Sequence, residues 1–173
     1  DSTIPINTEE NSLEILGGKG RSLARMTRSG FRVPDGFIVT ADAYRDFVNT
    51  YGIQEEIIEL AKPDLKNGYP NFEECSKKIQ LIIESNQTPD STRNEIIEAY
   101  EGLSGKDLRM AVRSSANADD LPEFSFAGQQ ETFLNISTSA AIIESVHKCW
   151  ASLWTPQAIS YRHQNGIDQS SVA

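Results

Sequence analysis

Two short stretches place cationic side chains where a protein could hold phosphate groups. The first is Gly17-Gly18-Lys19-Gly20-Arg21, which leads into a helix-like segment that stops near Gly30. A helix start presents free N–H groups and about half a positive charge, and Lys19 adds a formal cation to them. The alternative is a glycine turn that only begins a helix. The stretch is not a P-loop, because it lacks that motif's first glycine and the Ser or Thr after the lysine.

The second stretch combines an inner strand, an arginine and a polar loop. A short apolar run, Met110–Val112, predicts a buried strand that stops at Arg113. Ser114 and Ser115 follow, then a loop with two carboxylates, a Pro and a Gly, and then a second strand over 132–136. The planar guanidinium of an arginine matches phosphate or carboxylate with two parallel hydrogen bonds. The alternative is an arginine in a surface ion pair, beside a hairpin loop that is polar because it is exposed.

The elements that would position these stretches follow from periodicity and turn signals. The first 15 residues are either a tail or a first strand, and the Pro34-Asp35-Gly36 turn introduces a strand over 37–39. Apolar spacing and N-cap residues predict helices that start after Thr40, near Ile53, near Phe72, before Ile96, after Ser137 or Thr138, and after Thr155. Pro63, Gly68 and Pro70 predict a loop over 62–70, and residues after 168 are expected to enter a new strand. The middle third, about 53–105, carries no chemical motif and is predicted to be a helical subdomain.

The overall composition excludes several classes of function. The chain has 173 residues and a net charge of −9, which argues against nucleic-acid binding because that binding neutralises phosphates with Lys and Arg. We expect no membrane partner, since no run of 18 apolar residues occurs, and without a signal pattern the cytoplasm is the expected compartment. Cys75 and Cys149 are expected to be buried free thiols, and His147 and His163 are expected to be packing or surface residues.

Several motifs together resemble one known family. They are GGKG at 17–20 with VPDGF at 33–37, AVRSSA at 111–116, LP at 121–122 with SFAGQQET at 125–132, CWASL at 149–153, and AISYR at 158–162. In this order they resemble the N-terminal nucleotide-binding domain of phosphoenolpyruvate synthases and of the related pyruvate phosphate dikinases and rifampicin phosphotransferases. The SFAGQQET segment is typical of the synthase and rifampicin-enzyme branch. Asn117 and Asp119 stand where that branch usually has Thr and Glu.

The resemblance implies a fold and a set of site residues. The fold would be α/β (α+β), the first lobe of an ATP-grasp nucleotide-binding domain with a helical middle segment. The chain would then be a fragment of a longer enzyme, without the second lobe and the phosphohistidine and pyruvate-binding domains. By resemblance, Lys19 and Arg113 would be the catalytic cations that bind the ATP phosphates. The remaining implied residues are Ser114, Ser115, Gly128 and Thr132 against the nucleotide, and Asn117, Asp119, Ser125 and Ala127 in a loop covering the phosphates.

The resemblance also implies a reaction, with ATP as partner and Mg²⁺ as its companion. The whole enzyme would split ATP, load a histidine of another domain, and convert pyruvate to phosphoenolpyruvate with release of AMP and phosphate. The metal ligands would belong to the missing lobe, so none is assigned to this chain, which alone should bind ATP weakly and catalyse nothing. Three alternatives stay open. They are the same domain in a rifampicin phosphotransferase-type enzyme, a nucleotide-binding or subunit-interaction module that never transfers phosphate, and a purely structural α/β domain.

Overall fold

The computed structural model describes residues 3–5, 36–66, 68–103, 110–113, 132–136 and 138–172. The strands are β1 (Thr3–Pro5), β2 (Phe37–Val39), β3 (Asp64–Lys66), β4 (Tyr69–Asn71), β5 (Met110–Arg113) and β6 (Thr132–Ile136). The helices are α1 (Ala41–Thr50), α2 (Gln54–Leu60), α3 (Glu73–Ser85), α4 (Asp90–Glu101), α5 (Ser139–Ser152) and α6 (Pro156–Gln164), followed by a 3-10 helix (Gln169–Ser171). The described part is therefore a mixed helix and strand structure, as expected for an α+β domain.

Every strand in the described ranges belongs to an antiparallel pair. β1 pairs with β2, so the first residues include a strand, and Ile4 lies opposite Ile38. β5 pairs with β6 in the register that sets Arg113 opposite Thr132, with an irregularity between Met110 and Val112. Both strands of this second pair begin and end where the sequence predicted them.

Local sequence signals fix the starts of the last two helices. The hydroxyl of Thr138 accepts a hydrogen bond from the Ala141 N–H at 3.1 Å. The hydroxyl of Thr155 does the same for Ala158 at 3.1 Å, and Pro156 occupies the first turn of α6. Each hydroxyl satisfies an N–H that has no partner inside its helix. Thr40 also precedes a helix as predicted, but its side chain makes no capping hydrogen bond.

The predicted loop over 62–70 is wrong, because β3 and β4 form a hairpin there. The register places Lys66 opposite Tyr69, which leaves residues 67 and 68 as the connection. Gly68 has φ of 79°, a left-handed conformation that glycine adopts without steric cost. The Asn67-Gly68 dipeptide is itself a strong hairpin signal, so the sequence contained the information.

Two smaller expectations also differ from the structure. Residues 169–171 form a 3-10 helix in place of the expected strand entry, and the Asp168 carboxylate accepts a hydrogen bond from the Ser170 N–H at 2.9 Å. Cys75 and Cys149 are free but only half-buried, so their predicted full burial is wrong. The Cys75 thiol lies on α3 and donates to the Phe72 carbonyl at 3.3 Å.

One continuous apolar core joins the helices before, within and after the middle third of the chain. Its largest fully buried side chains come from α1, α2, α3, α4, α6 and the connection before α6: Tyr44, Phe47, Ile57, Ile79, Ile83, Ile96, Trp154 and Ile159. The Phe47 and Trp150 rings stack with centroids 4.9 Å apart, which fixes α1 against α5. Because buried aromatic side chains remove large apolar areas from water, this contact is a main source of stability.

The helical core supports two of the strand pairs. α4 lies against both β1 and β2, α5 lies against both β5 and β6, and α4 and α5 contact each other. Within the described ranges, no helix is long and apolar enough to cross a membrane. The two neighbouring helices α4 and α5 therefore carry the strand pairs that flank the predicted phosphate-binding stretches in the chain.

Candidate functional site

The β5–β6 hairpin flanks the second predicted phosphate-binding stretch. Arg113 is the last residue of β5, Thr132 is the first residue of β6, and the two are register partners. The chain therefore leaves the hairpin at 113 and returns beside the same point at 132. The two predicted strands and the arginine at the end of the first are therefore confirmed, whereas the predicted loop between them lies outside the described residues.

The other predicted site residues fall outside the part of the chain that the structure describes. They are Lys19, Ser114, Ser115, Asn117, Asp119, Ser125, Ala127 and Gly128. Arg113 and Thr132 are placed through their strands alone. The structure thus brings two of the predicted residues together along the backbone, and the roles of all ten remain predictions.

The first predicted phosphate-binding stretch, around Lys19, lies outside the described residues, but the strands on either side of it in the chain are described. Lys19 lies in the chain between β1 and β2, which are themselves paired. The β1–β2 pair lies on α4, the β5–β6 pair lies on α5, and these helices are in contact. The strand pairs that flank the two predicted stretches in the chain therefore lie on neighbouring helices.

A largely buried polar network links α1, α6 and the 3-10 helix and was not singled out from the sequence. The Trp154 indole N–H donates to the Tyr44 hydroxyl at 2.8 Å. Arg162 is 5% exposed, its Nε donates to Gln169 Oε1 at 2.7 Å, and its Nη2 donates to the Leu153 carbonyl. The guanidinium carbon also lies 5.0 Å from the centroid of the Trp154 ring, within the range of cation–π attraction.

The pKa values of this network follow from its burial. Burial lowers the pKa of Arg162 to about 10, and the nearby Tyr44 opposes that change. Burial raises the pKa of Tyr44 to about 12, against the Trp154 hydrogen bond and the Arg162 charge, which lower it. Tyr44, Trp154 and Arg162 are buried and Gln169 is half-buried. Their hydrogen bonds and the cation–π contact between Arg162 and Trp154 join α1, α6 and the 3-10 helix and stabilise the fold. The AISYR stretch that carries Arg162 was noted only as part of a family resemblance.

The two histidines match the prediction of packing or surface residues, since His147 is half-buried and His163 is exposed. The His147 ring lies 5.2 Å from the Phe47 ring and is hydrogen-bonded through both nitrogens. The His163 ring lies 5.6 Å from the Phe72 ring. Among the described residues, no group of three His, Cys, Asp or Glu side chains is arranged to hold a metal ion, so this part of the chain assigns no metal ligand.

An open cleft of about 370 Å³ lies between α2, α3 and β4. Its lining residues are Glu59, Leu60, Lys62, Asn71, Glu74, Cys75 and Lys78. Its two lysines are paired with its glutamates, Lys62 with Glu59 at 2.6 Å and Lys78 with Glu74 at 3.7 Å. The cleft contains none of the predicted site residues, and its charges already balance.

Comparison with known proteins identifies the family to which the chain belongs. The family described as "Pyruvate phosphate dikinase, AMP/ATP-binding domain" matches residues 13–173. A "Probable phosphoenolpyruvate synthase" of Methanocaldococcus jannaschii is 47% identical over 165 residues, which cover 93% of this chain and 14% of that protein. The "Phosphoenolpyruvate synthase" of Synechocystis is 42% identical over 92% of this chain and 21% of that protein.

A third relative carries a different name. The "Rifampicin phosphotransferase" of Streptomyces sviceus is 41% identical over 95% of this chain and 19% of that protein. The chain thus spans only about a fifth or less of the length of these three relatives. Since the family match covers most of the chain and these similarities run along its whole length, the chain belongs to the pyruvate phosphate dikinase AMP/ATP-binding domain family.

Proposed function

We propose that the chain is the first lobe of an ATP-grasp nucleotide-binding domain in a phosphoenolpyruvate synthase-like phosphotransferase. The observation that carries the proposal is the β5–β6 register, which brings the predicted phosphate-binding Arg113 beside Thr132 at the mouth of the loop. The family match to an AMP/ATP-binding domain supports the nucleotide. The relatives named phosphoenolpyruvate synthase support the enzyme.

The chemistry proposed for this lobe is electrostatic. Phosphoryl transfer requires that the phosphates be held in position and that cations face the developing negative charge. Lys19 and Arg113 supply two such cations, and each charged hydrogen bond to a phosphate is worth about 1.5–3 kcal/mol. Ser114, Ser115, Gly128 and Thr132 would surround the nucleotide, while the loop residues Asn117, Asp119, Ser125 and Ala127 would cover the phosphates and exclude water. Excluding water strengthens every charge interaction inside the site.

The complete reaction would need parts beyond this lobe. A histidine elsewhere in the enzyme would attack the β-phosphate of ATP, displacing AMP and taking up a pyrophosphoryl group. Water would release the outer phosphate as inorganic phosphate, and pyruvate would accept the remaining phosphoryl group to form phosphoenolpyruvate. Mg²⁺ would accompany ATP and offset the charge of its phosphates, with its protein ligands in the second lobe. We therefore propose that this chain alone binds ATP weakly and has no turnover. Release of AMP by the purified chain in an assay with ATP and pyruvate would contradict this.

The binding test is calorimetric titration of the chain with Mg-ATP. Arg113→Ala and Lys19→Ala should each weaken binding by about tenfold to a hundredfold, the equivalent of one charged hydrogen bond. Arg93→Ala is the matched control, because Arg93 is an exposed arginine on α4. The proposal fails if the wild-type chain binds no nucleotide, or if Arg113→Ala and Arg93→Ala have the same small effect.

The second candidate is the same domain in a rifampicin phosphotransferase-type enzyme, favoured by the relative of that name at 41% identity. The two candidates share the nucleotide site and differ in the acceptor. Assaying the whole natural protein with pyruvate and with rifampicin separates them. A natural protein that binds ATP and phosphorylates neither acceptor would instead support a non-catalytic nucleotide-binding module.

A further inference from the structure

Helix α5 is the element that links the helical core to the proposed nucleotide site. It lies against both strands of the β5–β6 hairpin and also against α3 and α4. The chain passes from β6 into α5 almost at once, and Thr138 caps the helix two residues after Ile136 ends the strand. A shift of α5 along or about its axis must therefore be transmitted to the hairpin.

His147 gives α5 two directional contacts with other elements. Its Nε2 meets the Ile83 carbonyl in the last turn of α3, and its Nδ1 lies 3.3 Å from the Thr88 hydroxyl in the connection between α3 and α4. A carbonyl only accepts hydrogen bonds, so Nε2 carries the hydrogen. In the neutral ring, Nδ1 then accepts from the hydroxyl of Thr88, which is 7% exposed. Ile83 is 0% exposed, while His147 itself is half-buried.

The surroundings of the imidazole fix its orientation. Its ring packs edge-on to Phe47, with centroids 5.2 Å apart, and lies 5.7 Å from the Trp150 ring. The buried residues of α5 are apolar, apart from Ser145, whose hydroxyl donates to the Ala141 carbonyl of the same helix at 2.8 Å. Apolar contacts are non-directional. The two hydrogen bonds of His147 therefore constrain the position of α5 in a way that the apolar contacts do not.

We infer that His147 is a positioning residue for the β5–β6 hairpin, which it acts on through α5, and hence for the nucleotide site at the end of that hairpin. The consequence for the nucleotide rests on the proposed function, whereas the consequence for the hairpin does not. Because misplacing a binding group by about 1 Å can cost a hundredfold in rate, a residue that fixes the supporting helix can matter without touching the ligand.

The first test measures amide hydrogen exchange by NMR. His147→Leu removes both hydrogen bonds, and Thr88→Val removes one bond while keeping the β-branched shape. Ile57→Val, a buried α2 variant, serves as a control for general loss of stability. We expect exchange in β5 and β6 to accelerate about tenfold more than exchange in α6 for both test variants. Equal acceleration in the hairpin and α6, as expected for Ile57→Val, would overturn the inference. If His147→Leu does not fold, Thr88→Val decides the question.

The second test measures Mg-ATP affinity under conditions where every variant is folded. His147→Leu should bind about fivefold to tenfold more weakly than wild type, the effect expected of one lost hydrogen bond. His147→Gln should recover most of the affinity, because one amide can donate to the Ile83 carbonyl and accept from Thr88. Unchanged affinity in His147→Leu would contradict the inference. Absence of nucleotide binding by wild type would refute the proposed function alone, and hydrogen exchange would still decide the role of His147.

Discussion

Removing one oxygen atom from Tyr44 should destabilise the fold measurably. In Tyr44→Phe the Trp154 indole N–H loses its acceptor, which lies 2.8 Å away. Trp154 is 0% exposed and Tyr44 is 1% exposed, so water cannot take the place of the hydroxyl. A buried donor without a partner costs about 1–3 kcal/mol. The ring itself is retained, so no cavity of consequence adds to this cost.

The magnitude translates into a readily measured change in melting temperature. For a domain of this size, 1 kcal/mol corresponds to roughly 2–4 °C, so Tyr44→Phe should melt about 2–12 °C below wild type. Tyr51→Phe is the matched control, because the same hydroxyl is lost from a side chain that is 38% exposed. The Tyr51 hydroxyl donates to the Gln87 carbonyl at 2.6 Å, but water can replace it there. We expect a change below about 0.5 kcal/mol in Tyr51→Phe.

Urea unfolding, followed by tryptophan fluorescence and circular dichroism, gives the free energy of unfolding of each variant. A double-mutant cycle with Trp154→Phe isolates the contact, since Tyr44→Phe should cost much less once the indole donor is gone. The reasoning is refuted if Tyr44→Phe and Tyr51→Phe lose the same stability. It is also refuted if the effects of Tyr44→Phe and Trp154→Phe simply add.

Two further predictions follow from the described contacts. Because burial raises the pKa of Tyr44 to about 12, its contribution to stability is fully present below pH 10 and is lost as pH rises from 10 towards 12, by at most about 2.7 kcal/mol. The lowered pKa of Arg162 acts in the opposite direction in this range. Arg162 is present in both wild type and Tyr44→Phe, so its effect is shared. Between pH 9 and 11.5 the free energy of unfolding in urea should therefore fall more steeply with pH in wild type than in Tyr44→Phe. Parallel curves of this free energy against pH would contradict the prediction. Separately, Thr155→Ala removes the hydroxyl that accepts a hydrogen bond from the Ala158 N–H at 3.1 Å. It should lower the stability measured by thermal unfolding by about 1 kcal/mol, whereas Thr155→Ser, which keeps the hydroxyl, should lower it much less. Similar losses of stability in the two variants would exclude the capping role.

Local features of the fold could be predicted from the sequence because their causes are local. The caps of α5 and α6 depend on a hydroxyl and an N–H three residues apart, and the Thr155-Pro156 pair marks its helix start without help from the rest of the chain. The end of β5 at Arg113 follows from an apolar run that stops at a charge. The β3–β4 hairpin had a local signal too, in Asn67-Gly68, but the two prolines nearby pointed to a loop and that prediction was wrong.

The sequence by itself determined where the six helices and the strands β2, β5 and β6 begin, and the family to which the chain belongs, whereas its phosphate-binding residues stay predictions. Only the tertiary structure decided which polar groups are buried and what they contact. His147 meets the Ile83 carbonyl 64 positions earlier, and Trp154 meets Tyr44 110 positions earlier. No periodicity or turn signal specifies such pairs, because they arise when whole helices pack and the pairing is set by the shape of the common core.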